Sequence, residues 1–545
     1  MRNSIIISQK FTPNSKKEVR PELVAIKKKG INLVRFELNW HDSEPKYESY
    51  DFSKTLEIVK YAEELNLTLE LLFHFETPPS WLLQEASLSN INYSPYLSDH
   101  PVAVCWEHPL IQKTAERFLK AALKILGKST AISSWAISRP ETIWENYDIA
   151  LNQNACTCKH SIDAFREYLK ARYKSIDIFN KKVNLNFASW DHIFPNTGIN
   201  PLALEWSSYN ATSHNIVLDT FVDIISKNDK QQRSVTITCE PCLFKDTSKD
   251  YLYAQLISKS LSKDTSAWNA EISSATSPSP LWVLPTLSDD SLQNATYSSL
   301  ALSPSKILFS HSPSDSLTNI IKSSDALISK CDVEPSEVAI IASLDSALLC
   351  AQSGSVAFVQ NSIKKLSTAL LDRSVFPDLL LDFKDQNLAK YKVVFLASPI
   401  LLETPQIEAV KGFVSAGGKV LSEILEEVDV AGLVGCESVG FEVEPIVASS
   451  MSDDKFGEVL GVQLDAAAVK NLDLRVIVQS HFSQDFWVLF VYNKVAKTTK
   501  FVLDETEGYE LVDSFGCHIN EETFKITIEP NAAGCVILKA SNTPG

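Results

Sequence analysis

Glycine and methionine are scarce in this chain. Only 16 of the 545 residues are glycine and only 2 are methionine, whereas glycine makes up roughly 7% of an average protein. The sequence also has no internal repeat and no low-complexity tract. Hydrophobic residues make up 45% of the chain and charged residues 22%. These are the proportions of an ordinary globular protein.

Long hydrophobic runs are missing as well. No stretch approaches the roughly eighteen apolar residues needed to cross a bilayer. The first twenty residues, MRNSIIISQKFTPNSKKEVR, lack the apolar core and small-residue cleavage site of a secretory signal. The ten cysteines are scattered, as expected for free thiols or a metal site in a reducing compartment. We therefore expect a cytoplasmic location and no membrane partner.

Positive charge is in deficit. The chain has 51 Lys and Arg against 67 Asp and Glu, which gives a formal net charge of −16 at pH 7. An acidic surface repels phosphate backbones and anionic lipids. Nucleic acid and membranes are therefore not expected partners.

The chain is long enough for two to four domains. Up to residue 318, strand-like runs such as INLVRFELNW (31–40) alternate with amphipathic helical runs such as 109–126. This alternation predicts an α/β fold with a parallel sheet, and most economically a (β/α)8 TIM barrel. Residues 319–438 predict a smaller, flavodoxin-like α/β domain, and the short alternating strands of 439–545 predict a C-terminal β-sandwich domain. The pair Gly417-Gly418 is interpreted as the end of a helix. A nucleotide-binding site is the alternative, but its glycine fingerprint would have to follow a strand directly, and this pair does not.

Acidic residues follow two of the predicted barrel strands. Glu271 closes SAWNAE (266–271), and Glu141 lies in the turn of SWAISRPETIW (134–144). Cleavage of a glycosidic bond needs two carboxylates, which in retaining enzymes lie roughly 5–5.5 Å apart. The C-terminal ends of barrel strands are where active sites form. These two residues are therefore candidates for the pair.

The chain resembles glycoside hydrolase family 42, the β-galactosidases, through six segments in the same order. They are GINLVRFELNWHDSEPKYESYDF, TPPSWL, SIDAFREYLKARYKSIDIFNKKVNLNFASWDHI, SAWNAE, KVVFLASPILLETPQIEAVKGFVSAGGKVL and the C-terminal WVLFVYN…GYELVD…ITIEPNAAGCVILK. No single motif decides the resemblance, but the ordered set covers nearly the whole chain. The middle segment resembles the trimerisation domain of the family and implies a homotrimer.

The resemblance implies a retaining double displacement on a β-galactoside with Glu271 as the nucleophile and no cofactor. Arg35 would keep that carboxylate ionised, although a structural ion pair within the barrel is the open alternative. Trp282 and His74 would contact the sugar ring, and core packing is the alternative for both.

The turn after Trp135 departs from the family pattern Trp-x-x-x-Asn-Glu. Arg139 stands at the position of the sugar-contacting Asn, and Pro140, which cannot transfer a proton, stands at the position of the acid. A one-residue bulge would allow Glu141 to serve as the acid/base, and Glu145 is a more distant candidate. Family glycines and a His-Gly-Ala are also replaced, in EISSATS and SPS (303–305). The alternative hypothesis is therefore a catalytically impaired protein that binds carbohydrate or serves in assembly.

A cysteine cluster is a separate signal. Cys156 and Cys158 follow the fourth predicted strand, Cys105 lies upstream, and His160 is adjacent. The resemblance implies a structural zinc ion, and three Cys with one His form a complete tetrahedral set. Three unlinked thiols are the alternative.

Overall fold

The computed structural model describes most of the barrel segment and parts of the remaining chain. The described residues are 6–12, 19–75, 78–85, 105–138, 157–195, 200–238, 281–284, 300, 306–309, 312–328, 331–333, 335–343, 346, 362–363, 365–366, 369–370, 373–380, 388–399, 402, 404–423, 444–446, 453–469, 476–493, 497–503, 506–530 and 532–541.

A parallel sheet forms the N-terminal part of the fold. Within the described residues it has seven strands in the order β5-β4-β3-β2-β1-β7-β6, and every pairing is parallel. The strands are β1 (Ile6–Phe11), β2 (Leu33–Asn39), β3 (Thr68–His74), β4 (Ile132–Ser138), β5 (Ser234–Thr238), β6 (Leu281–Leu284) and β7 (Lys306–Phe309). Strands alternating with helices in this order are typical of a barrel whose first strand lies beside its last.

Helices alternate with these strands along the chain, and several of them pack on one face of the sheet. They are α1 (Val19–Lys28), α2 (Trp40–Ser43), α3 (Ser53–Leu65), α4 (Ser80–Glu85), α5 (Pro109–Leu126), α6 (Lys159–Tyr173), α7 (Ile176–Val183), α8 (Pro201–Asn228) and α9 (Asp315–Ile328). The two longest, α5 and α8, begin with proline after a residue whose side chain caps the first turn, an arrangement that favours a sharp helix start.

The two faces of the strands differ in chemistry because alternate residues point to opposite sides. Val34, Phe36 and Leu38 of β2 pack with helix residues in the main hydrophobic cluster. Arg35 and Glu37 lie on the other face and point into the barrel. Burial of each outward side chain contributes about 1.5–3 kcal/mol, so this periodicity fixes which residues reach the interior.

A second parallel sheet follows in the order β10-β9-β11-β12-β13, the 2-1-3-4-5 order of flavodoxin-like sheets. Its strands are β9 (Val338–Ala342), β10 (Asp378–Leu380), β11 (Val393–Ala397), β12 (Lys419–Glu423) and β13 (Glu444–Ile446), with α10 (Thr404–Ser415) and α11 (Asp453–Ala466) beside them in the chain. The predicted boundary at residue 318 falls within α9, whose Ile321 belongs to the barrel cluster.

The C-terminal strands, joined by a short strand that precedes the second parallel sheet in the chain, form two sheets, β17-β20-β15-β14-β8 and β16-β19-β18, with antiparallel pairing among the described strands. They are β8 (Asp332–Val333), β14 (Val476–Phe482), β15 (Phe486–Asn493), β16 (Thr499–Val502), β17 (Tyr509–Phe515), β18 (His518–Asn520), β19 (Lys525–Ile528) and β20 (Ala533–Ala540). Val488 and Phe490 of β15 join the barrel cluster, so the first of these sheets packs against the barrel helices.

Candidate functional site

Arg35, Glu70 and Ser134 form a buried polar row inside the barrel. They occupy paired positions on β2, β3 and β4. Arg35 Nε donates to Glu70 Oε2 at 2.6 Å, and Ser134 Oγ donates to Glu70 Oε1 at 3.1 Å. Within the described part of the chain, Arg35 Nη2 has no hydrogen-bond partner. Of the two roles expected for Arg35, the structure places it in an ion pair within the barrel.

The barrel interior opens toward the C-terminal ends of the strands. Two residues beyond Arg35, Glu37 forms an ion pair with Lys10 of β1 at 2.5 Å, and both side chains are partly exposed. At the next level, Asn39 and His74 occupy paired positions at the ends of β2 and β3, and both are half-buried. The described strand ends therefore present ionisable and amide side chains to a space that solvent reaches.

Trp135 anchors the strand that leads to the SRPET turn. Its ring is buried, and Nε1 donates to Asp229 Oδ2 at 3.0 Å. Asp229 also pairs with Arg233, whose guanidinium lies 5.4 Å from the centre of the Trp135 ring. The strand has one register irregularity, between Ile132 and Ser134. This irregularity precedes Trp135, so it does not change the number of residues between Trp135 and the SRPET turn.

Several predicted site residues lie outside the described residues. These are Glu271, Glu141, Arg139, Glu145 and Cys156. The backbone of Trp282 is described in β6, where it pairs with Ile307, but its side chain is not. The roles of the two candidate catalytic carboxylates therefore stay predictions.

A second polar network lies in the loop after β2. The fully buried Glu44 carboxylate accepts hydrogen bonds from Trp40 Nε1 at 2.9 Å and Arg117 Nη2 at 2.7 Å. Arg117 Nε donates to the Tyr50 hydroxyl at 2.9 Å. Burial, followed by the Glu44 charge, raises the pKa of Tyr50. Burial opposes the charge on Arg117, but its contacts with Glu44 and Tyr50 prevail and raise its pKa.

Two of the four predicted zinc ligands are in contact. Cys105 Sγ lies 3.5 Å from Cys158 Sγ and 3.2 Å from Ser161 Oγ, and all three residues are buried. The His160 ring packs instead on His108, with ring centres 4.6 Å apart. In the described part of the chain, no three His, Cys, Asp or Glu residues are grouped so that they could hold a metal ion. Cys156 lies outside that part, so the complete set stays a prediction.

Sequence reasoning missed Glu70, Ser134 and the Lys10–Glu37 pair. In the strand-like run LTLELLFHF (67–75), apolar residues mask the signal of Glu70, whose carboxylate points into the barrel. The first strand, β1, was also missed. Its sequence, IISQKF, does not alternate strictly between apolar and polar residues, so periodicity gives no clear signal for it.

No helix among the described residues is long and apolar enough to cross a bilayer.

Comparison with known proteins gives consistent matches. The model of the Glyco_hydro_42 family, described as β-galactosidase, matches residues 11–313. β-Galactosidase BgaB of Geobacillus sp. (strain Y412MC61) is 26% identical over 182 residues, which are 31% of this chain and 25% of the relative. The aligned segment thus spans about a quarter of that relative's length.

Solved structures match over nearly the whole chain. A β-galactosidase from Bacillus circulans sp. alkalophilus superposes with a TM-score of 0.74 at 15% identity, covering 99% of both chains. A catalytic mutant of Gan42B, a GH42 β-galactosidase from G. stearothermophilus, gives 0.75 at 13% identity, covering 99% of this chain and 98% of that one. At these identities the likeness establishes the fold, and the expectation of an α/β TIM-barrel-type protein is confirmed.

Proposed function

Because the chain belongs to the Glyco_hydro_42 β-galactosidase family, we propose that it is a glycoside hydrolase that cleaves β-galactosides or related β-glycosides. The observation that carries the proposal is the family match over residues 11–313, the barrel segment. The polar residues at the described strand ends support it, because a barrel enzyme builds its site at that edge.

The proposed reaction is a retaining double displacement. Glu271 attacks the anomeric carbon, and Glu141 first protonates the leaving oxygen and then activates water. Arg139, Trp282 and His74 contact the sugar. His74 is the member of this set whose side chain is described, and its half-buried position at the end of β3 suits contact with a ligand.

Arg35 supports the proposed nucleophile through its unused donor. One side of the guanidinium is held by Glu70, while the buried Nη2 lacks an acceptor among the described residues. Buried donors in native proteins nearly always have a partner. A carboxylate from another strand end, such as Glu271, would supply it and would be kept ionised by the positive charge.

The alternative is a catalytically impaired member of the family that binds carbohydrate or serves in assembly. Trp135 is fixed by Asp229 and Arg233, and no register irregularity follows it within β4. Counting from Trp135 then puts Pro140 at the position of the acid. Glu141 can occupy the position of the acid only if a one-residue bulge follows Ser138.

A structural zinc ion and a homotrimer complete the proposal. The donor set fits zinc in part, because buried Cys105 and Cys158 thiols 3.5 Å apart have nearly the spacing of two thiolates on one tetrahedral zinc. Cys156 and His160 would supply the remaining ligands. Zinc would stabilise the junction between α5 and α6, and no cofactor takes part in the reaction. The partners proposed are a carbohydrate substrate and two further copies of the chain, in the cytoplasm.

Hydrolysis of two galactosides tests the proposal. Dinitrophenyl β-galactoside has a leaving group that needs no protonation, whereas lactose needs a working acid. We expect the purified protein to cleave both and Glu271→Gln to cleave neither. Cleavage of the activated substrate alone would indicate a nucleophile without its acid. If neither is cleaved and a wider panel of glycosides is also inert, the hydrolase proposal is wrong.

A further inference from the structure

An exposed tyrosine ring stands at the rim of the barrel. Tyr47 lies in the loop between α2 and α3, and 57% of its surface is exposed. Single exposed hydrophobic residues are common and need no explanation. Tyr47 differs from these because its neighbours hold the ring in one orientation.

Arg117 supports one face of the Tyr47 ring. The guanidinium carbon lies 4.3 Å from the ring centre, which is the geometry of a cation–π contact. The guanidinium is itself fixed by the buried Glu44 at 2.7 Å and by the Tyr50 hydroxyl at 2.9 Å. A cation tied into a buried network cannot easily swing away, so the ring it supports is preorganised.

Trp81 forms a second wall beside Tyr47. The two rings meet edge to face, with centres 5.3 Å apart and planes at 87°. Trp81 is held in turn, because its Nε1 donates to the Glu44 carbonyl at 2.9 Å. We call the two rings of Tyr47 and Trp81 the aromatic corner. Both are anchored to the same buried residue, Glu44.

The turn that presents Tyr47 is strained. Glu48, the next residue, has φ of 57°, a left-handed conformation that is unfavourable for residues other than glycine. Its backbone N–H donates to Glu44 Oε1 at 3.2 Å, and its carboxylate accepts from Arg117 at 3.3 Å. Strain of this kind persists where the surroundings enforce it, and it clusters at binding sites.

The aromatic corner lies at the catalytic edge of the barrel. Tyr47 and Trp81 follow β2 and β3, whose C-terminal ends are Asn39 and His74. Phe118, the residue after Arg117, packs on Phe73 near the end of β3 with ring centres 6.3 Å apart. Arg117 and the Tyr47 ring that it supports therefore lie at the C-terminal ends of the strands and not at their N-terminal ends.

We propose that the aromatic corner binds a pyranose ring of a β-linked oligosaccharide, on the leaving-group side of the scissile bond. The C–H face of a pyranose is apolar and flat enough to stack on an aromatic ring, while its hydroxyls remain at the rim. His41 and Ser80, whose side chains lie 3.1 Å apart, join the two loops and offer polar partners there. This inference rests on the proposed function, because it assumes that the terminal sugar is bound at the proposed catalytic site and that the rest of the saccharide extends from there to the aromatic corner.

Equilibrium binding to the Glu271→Gln variant, which prevents turnover, tests the inference. The probes are galactose, β-1,4-galactobiose and β-1,4-galactotriose, titrated by calorimetry. The shorter of the two oligosaccharides that is long enough to contact Tyr47 should bind Tyr47→Ala about tenfold more weakly. The affinity for galactose, which is too short to reach Tyr47, should be unchanged. Tyr47→Phe keeps the aromatic ring, and it should bind all three sugars with the same affinity as the protein that retains Tyr47.

Phe194 provides a matched control. Its ring is 58% exposed and is likewise covered by an arginine, with Arg166 4.9 Å from the ring centre. Phe194→Ala should leave the affinity of all three sugars unchanged. The inference is overturned if Tyr47→Ala binds both oligosaccharides normally, or if it loses galactose equally, which would indicate a structural role. If the unchanged corner binds none of the sugars, the proposed function fails and the inference fails with it.

Discussion

Arg35 and Glu70 form an ion pair across neighbouring strands, with Nε and Oε2 2.6 Å apart and both side chains no more than 4% exposed. The pair lies inside the barrel, where water does not compensate a lone charge. Ser134 donates to the other oxygen of the same carboxylate. Glu70 thus accepts from both neighbouring strands and fixes the polar row that underlies the open end of the barrel.

Replacing Glu70 by Gln should lower the free energy of unfolding by about 3–5 kcal/mol, because it removes the carboxylate that pairs with the Nε side of the buried Arg35 guanidinium. Urea unfolding followed by tryptophan fluorescence measures the loss. Glu37→Gln is the matched control, since it breaks the partly exposed pair between Lys10 of β1 and Glu37 of β2 and should cost under about 1 kcal/mol. Equal losses in the two variants would contradict a special contribution of the buried pair.

Asp229 should matter far more than Asp223, although both are aspartates of the α8 region paired with a basic residue four positions on. Asp229 is buried and holds Trp135 and Arg233, whereas Asp223 and Lys227 are exposed. We expect Asp229→Asn to destabilise the protein by about 2–4 kcal/mol and Asp223→Asn by less than about 0.5 kcal/mol. Thermal unfolding of the two variants checks the order, and the reverse order would contradict the anchoring role of Asp229.

Much of the barrel follows from sequence period alone. The predicted helix 109–126 coincides with α5, and the strand-like run 31–40 contains β2 (33–39), because outward apolar residues set a clear spacing. The partner of Arg35 was beyond reach, since pairing it with Glu70 requires the register between two strands. Cys105 and Cys158 lie 53 positions apart in the chain and 3.5 Å apart in space. Their grouping was expected from the family resemblance, and no spacing pattern in the sequence would have given it.

Bound zinc should depend on Cys158. If the two buried thiols at 3.5 Å are part of the proposed zinc site, Cys158→Ser should lose most of the metal, because removal of a thiolate leaves an incomplete tetrahedral set. Metal analysis of the purified protein by plasma mass spectrometry measures this. Cys331→Ser removes a different buried cysteine and should keep the metal content. Protein that holds no zinc in either variant or in the parent would rule the site out.

Cys517 should react slowly with alkylating agents at neutral pH. Burial raises the pKa of this half-buried thiol to about 12, so the reactive thiolate is only ~0.01% of the total at pH 8. Its alkylation rate should therefore rise about tenfold per pH unit from 7 to 10, whereas that of free cysteine, with a pKa of about 8.5, levels off. Mass spectrometry of the iodoacetamide adduct at Cys517 measures the rate, and a plateau by pH 9 would contradict the raised pKa.

The dependence of activity on the leaving group should identify the acid. If Glu141 protonates the leaving oxygen, Glu141→Gln will reduce lactose hydrolysis by about 10²–10⁴-fold while dinitrophenyl β-galactoside is still attacked by Glu271, because that leaving group departs without a proton. Glu145→Gln, four residues on, is the matched control and should retain both activities. If Glu145→Gln instead shows the selective loss, the acid lies further along the turn. If neither substitution affects lactose hydrolysis, another group, such as the partly exposed Glu37 in the barrel interior, must donate the proton.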